Sequence, residues 1–216
     1  MMTTTAPPDN ARTPTDEPPE GDVGARRGFS WLLIVTGLMG LLAAVVITID
    51  KTKILEAKAR GETYTPGCSL NPILSCGNIM ESAQASAFGF SNPLIGLVAY
   101  PVVIAIGVTL LTGTTFPRWY WLTFNAGCLF GVGFVTWLQY HSLYTIGALC
   151  LWCCLAWVAT IFLFWYVTSH TITRGLLPAP AGVRNFVEEF PWVLPVMHTG
   201  VIGMLILTQW WSFWTG

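Results

Sequence analysis

Four of the six cysteines fall into two pairs whose surroundings suit reversible disulfide chemistry: Cys68 with Cys76, and Cys150 with Cys153. The first pair lies in a polar stretch that turns through Pro66-Gly67, Asn71-Pro72 and Cys76-Gly77. Such a loop can bring two Cα atoms within the roughly 4.4–6.8 Å that a disulfide requires. The second pair is a Cys-x-x-Cys just inside an apolar segment. One thiol of such a motif often has a depressed pKa, and a helix start adds a dipole that favours a thiolate. Each pair also has a plainer reading. The outer pair alone fits a static bridge, and the inner pair alone fits two small hydrophobic residues packed in a helix. Two dithiols within exchange reach beside lipid point instead to a relay. It would carry electrons between proteins outside and a redox carrier in the membrane.

The elements that must position these residues are apolar helices. The chain is 53% hydrophobic and only 10% charged, against about 25% charged in soluble domains. No charge occurs from Ser30 to Ile49, Ser82 to Pro117, Trp119 to Thr173, or Phe190 to Gly216. About 20 apolar residues cross a bilayer, so five spans are expected, near 29–49, 93–113, 118–140, 144–168 and 191–213. Pro195 and His198 are expected to interrupt the fifth. Trp119, Trp121, Trp192, Trp210, Trp211 and Trp214 fall near span ends, where an interfacial aromatic belt would put them. Residues 1–28 read as a disordered polar tail, without the layout of a signal peptide. Residues 50–92 form the main loop, with a short helix expected within 78–88 on or dipping into the bilayer. Residues 169–190 read as a polar link. A net charge of −1 without a basic cluster argues against nucleic acid as a partner.

Orientation follows from charge and cysteines together. With the N-terminus inside, Arg12, Arg26, Arg27, Arg118, Arg174 and Arg184 face inward, against Lys51, Lys53, Lys58 and Arg60 outward. Stable disulfides belong to oxidising compartments, which also places loop 50–92 outside. Parity needs neither point: loop 50–92 follows the first span and the 140–145 turn follows the third, so both cysteine pairs share one face. Cys150 then lies about 9 Å deep at ~1.5 Å per residue, within reach of a loop folded down over the bundle.

The runs Cys68-Ser-Leu-Asn-Pro-Ile-Leu-Ser-Cys76-Gly-Asn-Ile-Met-Glu-Ser82, Phe88-Gly-Phe-Ser-Asn92-Pro-Leu-Ile-Gly96 and Ser142-Leu-Tyr-Thr-Ile-Gly-Ala-Leu-Cys150-Leu-Trp-Cys153 resemble the bacterial vitamin K epoxide reductase family over roughly 29–168. The resemblance implies an all-α integral membrane protein: a four-helix bundle around a quinone (menaquinone or ubiquinone), capped by the cysteine-bearing outer loop. A fifth transmembrane helix follows in 169–216. It also implies an oxidoreductase of the inner (plasma) membrane that supports disulfide formation in exported proteins. Electrons would pass from a reduced thioredoxin-fold (DsbA-like) protein to Cys68–Cys76. They would continue through a Cys76–Cys150 mixed disulfide to Cys150–Cys153, with Cys153 nearest the quinone. Some bacterial relatives carry a fused thioredoxin-like domain; none is read here, so a separate partner is expected.

By the same resemblance Asn92 matches an amide that hydrogen-bonds a quinone carbonyl, and Ser82 a hydroxyl that positions the cap. Their plainer readings are a helix cap before Pro93 and a surface serine. Vertebrate members have a tyrosine where Trp157 stands here, and indole offers one donor and no acceptor. Cys128 and Cys154 read as packing, and Glu81 as a solvated acid or a tuner of Cys76. His141, His170 and His198 are too dispersed for a metal or haem set, and no metal is expected. Two alternatives remain. One is a quinone or quinone-epoxide reductase of a vitamin K-type cycle. The other is a non-enzymatic membrane protein with a structural disulfide or a metal site, although the cysteine spacing is not the paired Cys-x2-Cys of zinc ribbons.

Overall fold

The computed structural model describes residues 24–215. Most of the expected tail, residues 1–23, lies outside the described residues. Among the described residues, four helices are long and apolar enough to cross a bilayer: α1 (Arg27–Ala59), α3 (Pro93–Leu111), α4 (Arg118–His141, continued by a wider turn, Ser142–Ile146) and α5 (Leu151–Thr173). Between α1 and α3 lie a short helix, α2 (Cys76–Glu81), and one tighter turn, Ala83–Ser86. Those two pieces stand where a short helix was expected within 78–88. After α5 come α6 (Ala181–Glu189), α7 (Val193–Gln209) and α8 (Trp211–Thr215).

Several boundaries differ from expectation. α1 continues through Ala59, so the charged stretch at the start of the 50–92 loop is helical. Its alternation of charge with Ile54 and Ala57, both buried, lets the helix project beyond its apolar run. The fourth span begins at Leu151 rather than near 144, because Gly147 adopts a left-handed conformation (φ 69°) that ends the preceding turn. The polar link holds its own helix, α6. α6 and α7 meet at 78° across residues 190–192, and α7 runs unbroken through Pro195 and His198, which were expected to interrupt it. Pro195 lies in the first turn of α7, where the missing N–H has no intrahelical partner to lose. Trp121 is not an interfacial anchor: it is fully buried, whereas Trp119, Trp192 and Trp211 are exposed.

Packing follows a definite order. α1 packs against both α3 and α5, and α5 packs against α4. The bundle is therefore an open arc, α3–α1–α5–α4, in which α3 and α4 share no comparable seam. In lipid, helices associate through close packing and small residues rather than the hydrophobic effect. The α1–α3 seam shows why. Gly40 and Gly96 receive the Tyr100 ring, and Gly37 and Gly107 admit Ile104 and Ile34. The Tyr100 ring cannot swing away freely, because its hydroxyl is hydrogen-bonded to Thr160 on α5 at 2.8 Å. Gly40→Val is therefore expected to cost about 1–3 kcal/mol by overpacking, read as a lower thermal midpoint in detergent. An unchanged midpoint would mean that this seam yields.

Candidate functional site

Backbone pairing stitches the loop between α1 and α3 to the α4–α5 turn. Leu149 N–H donates to the Ile73 carbonyl at 2.7 Å, and Ser75 N–H to the Leu149 carbonyl at 2.9 Å. This makes a one-residue parallel bridge between Leu74 and Leu149. Local turns prepare both partners. Asn71 Oδ1 accepts the N–H groups of Ile73 and Leu74 at 3.0 and 2.7 Å, and Ser142 Oγ donates to the Ala148 carbonyl. The stitch falls one residue before Cys150 and two before Cys76, so it fixes the two cysteine pairs against each other.

The outer pair forms a disulfide, with 5.8 Å between Cα atoms, while Cys150 and Cys153 are thiols. The sulfurs of Cys68, Cys76 and Cys150 all lie within 4.8 Å of one another. Cys76 and Cys150 are fully buried among Ile47, Ile54 and Met80, and Cys68 is half-buried at the edge of the same cluster. Cys68 is thus the less buried residue of the disulfide, and Cys76 the one sealed beside Cys150. Cys150 is the N-cap of α5, and its sulfur accepts the Cys153 N–H at 3.4 Å. One residue short of the span, its thiol is held below the ordinary thiol range. The chief cause is a hydrogen bond from the Cys153 side chain; burial opposes it, and the backbone N–H groups of Cys153 and Trp152 support it.

Cys153 lines a cavity of about 900 Å³ between the helices of the bundle. Asn92, Ser82 and Trp157 line it too. Trp157 is buried one helical turn beyond Cys153. Asn92 is buried, and its side chain caps no helix end. Instead Nδ2 donates to the Gln84 carbonyl at 2.6 Å, and Oδ1 accepts the Ala87 N–H at 3.0 Å. One amide hydrogen of Asn92 is left over. Ser82 Oγ donates to the Ile79 carbonyl at 2.7 Å and so closes α2. The walls are apolar apart from a few placed polar groups, as a site for a mostly apolar ring requires, and a quinone fits that description. The exposed residues Val98, Val102, Trp119 and Phe130 also line the cavity. It therefore opens sideways where α3 and α4 lack a seam.

Other candidates sit elsewhere. Cys154 packs around Trp157 and Ile73. Cys128 is buried in the core and reaches the cavity wall. Glu81 pairs with Lys58 at 2.9 Å on an exposed surface. The histidines have separate partners: His141 meets Thr145, His198 accepts from Trp165 Nε1, and His170 stacks on Phe29. Sequence reasoning missed Lys51, which counts there only as a juxtamembrane charge. The structure buries it in the cavity wall, and nothing in its sequence neighbourhood separates it from Lys53 or Lys58.

Set against known proteins, residues 31–168 match the family model described as the vitamin K epoxide reductase family. No curated protein matches the chain.

Proposed function

The chain belongs to the vitamin K epoxide reductase family, whose members are membrane oxidoreductases acting between thiols and quinones, and on that premise we propose a full electron path. It runs from a reduced thioredoxin-fold partner, through Cys68/Cys76 and Cys150/Cys153, to a quinone in the bundle cavity, and supports disulfide formation in exported proteins. The observation that carries this reading is the sulfur geometry. Cys150 Sγ lies within 4.8 Å of both sulfurs of the outer disulfide, and Cys153, three residues on, lines the cavity.

Each step is thiol–disulfide exchange. A partner thiolate attacks the sulfur of Cys68, the less buried residue of the pair, and releases Cys76 as a thiolate. The partner's second thiol then displaces Cys68, leaving the partner oxidised and the outer pair as a dithiol. With the inner pair in its disulfide form, Cys76 attacks Cys150 and expels Cys153. Cys68 next attacks Cys76 and expels Cys150. The outer disulfide is restored, and two electrons and two protons now reside on Cys150 and Cys153. A bound quinone supplies the sink, taking both electrons and both protons as the inner disulfide re-forms. Asn92 would hold the head group through its remaining amide hydrogen, with Trp157 and the apolar walls excluding water. We place the reaction unit in residues 29–168 and the cysteine face on the outer side of the plasma membrane.

The test is mass-spectrometric mapping of the cysteines in fully reduced, membrane-purified protein before and after a soluble quinone is added. Formation of Cys150–Cys153 followed by Cys68–Cys76 is the expected order. If all four remain reduced, or the outer pair alone responds, the path is wrong.

A further inference from the structure

Lys51 combines four properties that ordinary membrane-flanking lysines lack. Its side chain is buried, lines the cavity, and has no carboxylate in salt-bridge reach among the described residues. It also makes defined hydrogen bonds: Nζ donates to the Ala85 carbonyl at 3.0 Å and to Ser86 Oγ at 2.8 Å. The nearby acids are engaged elsewhere, Asp50 as acceptor for the Tyr64 hydroxyl at 3.1 Å and Glu81 with Lys58.

The contacts of Lys51 define a small roof. The turn it holds, Ala83–Ser86, is the one to which Asn92 is bonded through the Gln84 carbonyl and, by its own N–H, through the Ala85 carbonyl. Lys51 on α1 and Asn92 at the head of α3 thus grip one turn from two sides. An ammonium carries three N–H donors. Two are engaged by the turn and one is left over. A buried cation without a counter-charge is costly, and two neutral acceptors offset only part of that cost. An anion appearing in the cavity would offset the rest.

We infer that Lys51 acts on the reducible head group itself, its ammonium stabilising the negative charge that develops on an oxygen of that group during reduction. The inference rests on the reading of the cavity as a quinone site. Electrons and protons balance without consuming the lysine. The Cys150/Cys153 dithiol loses two electrons and two protons as its S–S bond forms, the quinone gains them, and Lys51 keeps its own proton throughout. A fixed charge beside developing charge in a water-poor site is worth most in the transition state. Its loss therefore falls on kcat rather than KM.

The experiment compares wild type, Lys51→Gln, Lys51→Arg and Ser86→Ala as full chains, with a short-tailed soluble quinone and dithiothreitol as donor. Lys51→Gln keeps donors for the turn but removes the charge, and is expected to lower kcat about 10²-fold with KM nearly unchanged. Lys51→Arg restores most of that loss. Ser86→Ala loosens the roof but leaves the charge, and keeps kcat close to wild type. The rate at which dithiothreitol opens Cys68–Cys76 stays constant across the set. A Lys51→Gln enzyme with wild-type kcat overturns the inference. So does an equal loss in Lys51→Arg, or a hundredfold loss in Ser86→Ala, which would assign the effect to roof geometry. Should wild type itself fail to reduce the quinone, the underlying reading of the cavity is what fails.

Discussion

Cys150→Ala and Cys153→Ala are each expected to lower quinone-linked oxidation of a dithiol partner by more than about 10³-fold, since residues that act as one unit fail together. The two variants should nevertheless stop at different points. In Cys153→Ala, the Cys150 thiolate still lies beside the outer disulfide. It can attack Cys76 and release Cys68; with Cys153 gone, the product has no forward route to an inner disulfide and returns only by attack of Cys68, so a Cys76–Cys150 mixed disulfide is populated. In Cys150→Ala, the remaining Cys153 lies on the cavity side and outside the group of three close sulfurs, so no such species forms. Peptide mapping under non-reducing conditions reads the difference directly. Full activity in either variant, or a mixed disulfide trapped equally in both, would remove the proposed order of transfer.

Trp121→Ala is expected to give the largest loss of stability. The indole is fully buried, with its ring centroid 4.5 Å from His170, 6.1 Å from Phe29, 6.2 Å from Phe116 and 6.3 Å from Phe124. Truncating a buried aromatic costs about 3–5 kcal/mol in soluble cores, where transfer and cavity contributions add. Within a bilayer, packing is the share that survives, so the lower end, about 3 kcal/mol, is expected. Trp121 neither joins the sulfur cluster nor lines the cavity. The folded fraction should therefore keep its turnover while its thermal midpoint in detergent falls. A variant that lost turnover without losing stability would contradict this separation of scaffold from site.

Both predictions rest on features of unequal legibility in the sequence. The four spanning helices and the shared face of the two cysteine pairs were readable because charge exclusion and parity are one-dimensional signals. The contact between the pairs was readable only as reach. Its cause, the Leu74–Leu149 bridge, rests on two backbone groups whose side chains carry no mark of it. Boundaries failed where local and long-range effects compete. α1 extends because Ile54 buries with Cys76 and Met80 of the loop, and Pro195 does not break α7 because it falls in a first turn. Trp121 looked like its neighbour Trp119, and only the packing of Phe29 and His170 distinguishes them. Asn92 illustrates a third case. The family resemblance singled it out, but its attachment to the Gln84–Ala87 turn comes from the fold of the loop.

The absent seam between α3 and α4 changes what concentration means for this protein. A ligand reaching the cavity through that slot arrives from the hydrocarbon phase and not from water. Occupancy is then governed by the ligand's mole fraction in the surrounding lipid or detergent. Adding micelles or vesicles dilutes such a ligand even when its total amount per litre is constant. Half-saturation is thus a property of a two-dimensional solvent. Binding strengths compared between preparations have meaning only per unit of amphiphile.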